Sequence, residues 1–257
     1  MGFYDFETRT YGDGKTYDRY DYESAIRMKY SSSKPEDFDT ETRAWRAYQV
    51  EEVKKVLSKR AYLEAANRRA EALDTLWTKE RADSATYGRN WGYYVGLDNI
   101  RKYYVDGNPF GAPGTDVCHP FTTYKIIIAD DNKTAQATWY SIGYEINPAL
   151  DKDVDCYWDN QRCGADLVWE DGQWKIWHYF AGTDFALRPG YPYASLKTEE
   201  TTPCDKYLEK EFGEPTQKFT AYDSFYNYYF YPEITMEHAT FADAISNGPE
   251  GNPNYKG

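Results

Sequence analysis

Asp171-Gly172, set between Ala165-Asp-Leu-Val-Trp-Glu170 and Gln173-Trp-Lys-Ile-Trp-His-Tyr-Phe180, constrains the fold more than any other stretch of this chain. Both central residues of such a tight turn need positive φ, and the aromatic and β-branched flanks suit a pleated, half-buried surface. A β-hairpin is therefore predicted. Another precedes it: His119 leads an apolar-alternating run, Asp130-Asp131-Asn132 turns the chain, and Thr134-Ala-Gln-Ala-Thr-Trp-Tyr140 continues to Glu145. The expected strands are 117–129, 134–146, 164–170 and 173–183. Side chains alternate along a strand, so Trp139, Ser141, Gly143 and Glu145 share one face.

Ahead of the strands, residues 39–82 carry a helical pattern. Trp45, Tyr48, Val53, Val56, Leu57, Leu63, Ala66, Ala70, Leu73 and Trp77 recur at three- and four-residue steps, with Asp39 or Thr40 as the cap. A break near Ser58 would divide the run into two helices. Residues 85–95 read as irregular, Leu97 to Val105 as a short helix, 107–116 as a Gly/Pro loop and 147–162 as a long connection. Short helices are expected at 204–212 and 235–246. The order predicts an α+β fold: a curved, mainly antiparallel sheet packed on helices, forming a cone with an internal pocket. Three parts follow: an N-terminal arm (1–45), the cone domain (46–190) and a Tyr-rich C-terminal extension (191–257). The extension holds Tyr222, Phe225, Tyr226, Tyr228, Tyr229, Phe230 and Tyr231. A segment so aromatic should lie over the pocket or against another subunit, so a homodimer or homotrimer is expected.

A formal net charge of −12 argues against nucleic acid and anionic membrane as partners. No apolar run approaches the roughly 20 residues of a membrane helix. The start, Met1-Gly-Phe-Tyr-Asp-Phe-Glu7, lacks the basic and apolar regions of a secretory leader, which makes a cytoplasmic location the expectation. The four cysteines, Cys118, Cys156, Cys163 and Cys204, have no zinc-like spacing and are read as free thiols. Gly111-Ala-Pro-Gly114 lacks the Lys-Ser/Thr step of a phosphate cradle. Neither a metal nor an organic cofactor is expected.

The chain resembles the nuclear transport factor 2-like superfamily, in particular its SnoaL-like branch. Four stretches carry the resemblance: Tyr94-Val-Gly-Leu-Asp-Asn-Ile-Arg-Lys-Tyr-Tyr104, His119 followed by Ile126-Ile-Ile-Ala-Asp130, Thr134-Ala-Gln-Ala-Thr-Trp-Tyr140, and Glu170-Asp-Gly-Gln-Trp-Lys-Ile176. It spans about residues 48–185 and is nearest to dehydratase-like members such as bile acid 7α-dehydratase and scytalone dehydratase. The resemblance implies a histidine just ahead of the first long strand, which His119 matches, and an acid on the long helix that orients it. Tyr62 matches the bile acid enzyme's helical tyrosine, whereas the acid five residues on is replaced by Asn67. A further acid, expected after the Trp-Tyr strand motif, falls near Gly143.

An imidazole titrates across neutral pH, so His119 is the natural proton acceptor. Asn67 could fix its tautomer but supplies no charge. Glu145 is the first choice for the missing carboxylate, and Asp116 the second. Tyr62 would donate a hydrogen bond to a carbonyl or leaving hydroxyl. His178, amid Trp174, Ile176, Trp177 and Phe180, is read as buried and structural, and His238 receives no role. The expected activity is a cofactor-independent lyase or isomerase of the dehydratase type. It would act on a small apolar cyclic ligand, aromatic or polycyclic, by proton abstraction at His119. The competing reading is a non-catalytic ligand-binding or oligomerisation protein of the same fold, since one scaffold hosts many functions.

Overall fold

A computed structural model of the chain describes residues 8–10, 16–18, 34–108, 110–111, 113–148, 156–187, 215–218, 232 and 234–252. Strands β1 (Thr8–Thr10) and β2 (Thr16–Asp18) pair with each other. The main helix, α1, spans Thr40–Ala65, with the Asp39 carboxylate accepting from the Thr42 amide at 2.6 Å. This is the N-cap that the sequence offers. The helix runs straight through Ser58, where the sequence left room for a break. No Gly or Pro interrupts it and most of its residues are strong helix formers, so a single serine costs little. The turn comes instead at Asn67, with φ of 53°, and α2 (Arg69–Leu76) follows. Gln49, Val53, Leu57, Arg60, Leu63 and Glu64 are the buried residues of α1. Two of the six are charged, an early sign of a polar interior.

Strands β3 (Thr86–Arg89) and β4 (Gly92–Val95) form a hairpin where an irregular stretch was expected. Gly88 and Gly92 dilute the strand signal. A side chain at Gly88 would have no room against the Phe180 and Tyr93 rings, so the glycine is there for packing. Next come α3 (Leu97–Ile100), which widens into a π-turn over Arg101–Asp106, and strands β5 (Asp116–Cys118) and β6 (Thr122–Ile128). The expected single strand 117–129 is thus divided at His119-Pro120-Phe121. The long strands are β7 (Thr134–Ile146), β8 (Cys156–Glu170) and β9 (Gln173–Leu187). Asp171 and Gly172, at φ of 51° and 73°, make the β8–β9 turn as predicted. With β10 (Gln217–Lys218) the sheet order is β10-β4-β3-β9-β8-β7-β5, with β6 also on β7. Among the described strands, only the β3–β9 pair is parallel. The curved sheet does not close, and the fold is the expected α+β cone.

The two faces of the sheet have different coverings. On the inner face, Ala135, Ala137, Trp139, Cys163, Ala165, Leu167, Ile176 and Tyr179 join Val53, Leu57, Leu73 and Trp77 of the helices in one core. Outside, residues 234–252 lie across β7–β9. The Thr235 hydroxyl donates to Gln136 at 3.1 Å, and the Asp130 and Asp131 amides donate to the His238 and Ala239 carbonyls. A helix was expected at 235–246, but only a single 3₁₀ turn forms, at Phe241–Asp243. Backbone groups that a helix would need for itself are bonded to the sheet instead. The expected helix 204–212 and the aromatic run from Tyr222 to Tyr231 lie outside the described residues. Cys118, Cys156 and Cys163 are free thiols. Among the described residues, no helix is long and apolar enough to cross a membrane.

Candidate active site

His119 occupies the link between β5 and β6, and three elements bring carboxylates to its buried ring. From α1 comes Glu64, whose Oε2 lies 3.8 Å from Nδ1. From β7 comes Glu145, with Oε1 3.4 Å from Nε2, and from β8 Asp159, with Oδ2 3.3 Å from Nε2. The Gln161 amide nitrogen is 3.1 Å from Nε2 and also donates to Asp159 Oδ2. The Tyr157 hydroxyl donates to Glu145 Oε2. Glu64 is in turn held by Arg60, which donates from Nη1 to its Oε2 at 3.2 Å, and by Arg69 Nη2 at 3.5 Å from Oε1. The Arg60 guanidinium sits 3.8 Å from the centroid of the Tyr179 ring, an arrangement that favours a desolvated cation.

These charges set the protonation of the site. Burial alone would pull the imidazole pKa down, but Asp159, Glu64 and Glu145 outweigh it and push His119 up to about 10. Burial would likewise raise Glu64, but Arg60 and Arg69, aided by His119, hold it well below the usual carboxylate range. The result is a protonated ring beside an ionised Glu64. Burial pushes the Cys163 thiol up, so it is no nucleophile. Among the buried polar atoms with no hydrogen-bond partner in the described residues are Asp159 Oδ1, the Ser141 hydroxyl and the Tyr104 hydroxyl. Buried groups of this kind are usually paired with protein, water or ligand.

Of the residues singled out from the sequence, the structure brings His119 and Glu145 together. It does not bring Tyr62 or Asn67 to them. Tyr62 is 78% exposed, and Asn67 accepts from the Asn108 amide at 2.5 Å. The reason is angular. At about 100° per residue, Tyr62 lies on the opposite side of α1 from Glu64, and Asn67 lies past the helix end. Asp116 is exposed and accepts from the Tyr144 hydroxyl at 3.0 Å. His178 is buried, as expected, and its Nδ1 lies 2.8 Å from Asp166. His238, given no role, is also buried and bonds the Met236 carbonyl.

Glu64, Asp159, Arg60, Arg69, Gln161 and Tyr157 are missing from the sequence reading. Glu64 had a signal, because it continues the stripe Val53, Leu57, Arg60 at helical spacing. Asp159 had none, since it reaches the site through strand pairing. It lies directly across from Gly143, where the resemblance places an acid. A Cβ at Gly143 would come within 2.6 Å of His119 Cδ2 and would press on the Cys118 carbonyl. The glycine therefore admits the histidine, and the acid comes from the neighbouring strand.

The SnoaL-like domain matches residues 45–179. Hexachlorocyclohexane dehydrochlorinase type 3 from Novosphingobium barchaimii is 12% identical, aligned over 58% of this chain and 95% of its own, with a TM-score of 0.45. A nuclear transport factor 2-like protein with a cystatin-like fold from Novosphingobium aromaticivorans is 15% identical over 61% and 94%, with a TM-score of 0.43. A protein of unknown function from Mycobacterium tuberculosis is 11% identical over 69% and 96%, with a TM-score of 0.48. No curated protein matches the sequence. With its helices, curved sheet and buried histidine falling within or beside a domain match that takes in more than half of its length, the chain belongs to the SnoaL-like domain family.

Proposed function

We propose that the protein is a lyase or isomerase of the dehydratase type that moves a proton on a small cyclic substrate through His119. The observation that carries this reading is the imidazole enclosed by Glu64, Glu145 and Asp159. Glu64 faces Nδ1 and orients the ring, as a carboxylate does for a catalytic histidine. Nε2 is the working edge. A proton leaves a carbon beside a carbonyl for the Asp159 oxygen that has no partner among the described residues. The ring then gives a proton to the departing hydroxyl, so that water leaves and a double bond forms. Returning the proton to a different carbon gives isomerisation instead. Neither route changes an oxidation state. The Tyr104 hydroxyl, which burial keeps protonated, is a donor for a substrate oxygen in place of Tyr62.

The test is to incubate the full chain with a panel of cyclic β-hydroxyketones and follow loss of water by mass spectrometry. Turnover should fall by about 100-fold or more in His119→Ala, the usual cost of losing a positioned acid or base. An unchanged rate in that variant would end the assignment. If the wild-type chain holds a ring ligand without converting it, the non-catalytic reading prevails.

A further inference from the structure

We propose that His119 Nε2, Glu145 Oε1 and Asp159 Oδ2 form a site for a first-row divalent cation of the Zn2+ class. Three strands of argument meet there. The first is spacing: donors around an ion with bonds of about 2.1 Å lie roughly 3.0–3.4 Å apart. Here Nε2 is 3.4 Å from one carboxylate oxygen and 3.3 Å from the other, and all three donors fall within 4.8 Å of one another.

The second is proton accounting. Asp159 Oδ1 has no donor among the described residues, although the residue is 2% exposed. A cation can serve both carboxylates at once.

The third is independent of the acids. Ser141 is 1% exposed and its hydroxyl is unpartnered. It shares the inner face of β7 with Gly143 and Glu145 and stands opposite Gln161. A buried hydroxyl on the same face as the cluster, with no partner among the described residues, is open to a further neighbour. Gln161, with its amide turned over, would present an oxygen to the same ion. Glu64 at Nδ1 would be the carboxylate that orients a metal-bound imidazole. The imidazole favours Zn2+ over Mg2+, which prefers all-oxygen sites.

A bound cation takes the place of the Nε2 proton that the reaction donates, so cation and reaction exclude each other. That consequence rests on the proposed function, whereas binding itself does not. The untagged full chain, stripped with chelator, is titrated with Zn2+ by calorimetry, and with Mg2+ in parallel. One Zn2+ per chain is expected, with Mg2+ at least about tenfold weaker. Asp159→Asn and Glu145→Gln should each weaken Zn2+ by about tenfold or more, while Asp116→Asn leaves it unchanged. Circular dichroism establishes that each variant is folded. Absence of saturable Zn2+ binding, or binding indifferent to both ligand variants, overturns the site. Should those variants not fold, Co2+ on the wild-type chain decides. Intense visible bands of a low-coordinate ion support the site, and the spectrum of aqueous Co2+ sinks it. Zn2+ binding that depends on Asp159, alongside turnover indifferent to His119→Ala, would refute the proposed function and leave the site standing.

Discussion

At the scale of single residues, the chain places formal charge where burial makes it expensive, and the neighbours decide whether it stays. Glu64 is 4% exposed between Arg60, also buried, and Arg69. Removing one member of such a group strands the others, so the cost exceeds any value of the intact pair. Glu64→Gln is expected to lower unfolding free energy by about 3–5 kcal/mol, measured by urea denaturation at neutral pH. A loss under about 1 kcal/mol, the worth of a surface pair, would mean that the network is solvated. Glu64 was legible in principle, since helical spacing from Val53 puts it inside. The interval from Tyr62 to Asn67 pointed elsewhere because five residues do not return to the same face of a helix. Gly143 shows the opposite case, in which a missing side chain mattered and only packing revealed why.

At the scale of elements, turn chemistry and apolar alternation were reliable where strands follow ordinary rules, as at Asp171-Gly172 and in β7. They failed where a strand is built for the site. The first half of β8 carries Asp159 and Gln161 on its inner face, so its alternation reads as a loop. The β8–β9 hairpin also anchors the chain after α2 through Glu170. Its carboxylate accepts from the Thr78 hydroxyl and from the Lys79 amide, the latter at 2.8 Å. Burial would raise the Glu170 pKa, but these hydrogen bonds outweigh it and lower it below 4.5. A depressed carboxylate stabilises the fold above its unfolded pKa and loses that contribution as pH falls through the folded value. Glu170→Gln should therefore be less stable than wild type at pH 7, with the gap narrowing below about pH 4.5. Melting curves across pH would show it, and a gap independent of pH would refute it.

Across the whole molecule, part of the outer sheet face is covered by residues 234–252, while Tyr140, Ile142 and Trp158 stay exposed on it. Asp166, with no exposed surface, accepts from Gln136, Asn247, Ser246 and the Asn247 amide, and pairs with His178 at 2.8 Å. Residues 234–252 are thereby part of the folding unit rather than an appendage. Asp166→Ala would leave several buried donors unpaired and should cost about 3 kcal/mol or more, read from chemical denaturation. A change near zero would show that this segment is held by other contacts. Local regularities carried by neighbours in sequence were determined by the sequence alone: the α1 cap, the hairpin turn, the inward face of β7 and the α+β order. Only the tertiary structure decided which acids meet His119, because strand register and helix rotation act between residues far apart along the chain. A one-residue slip in β8 would turn Asp159 to the other face, and no local pattern fixes that register.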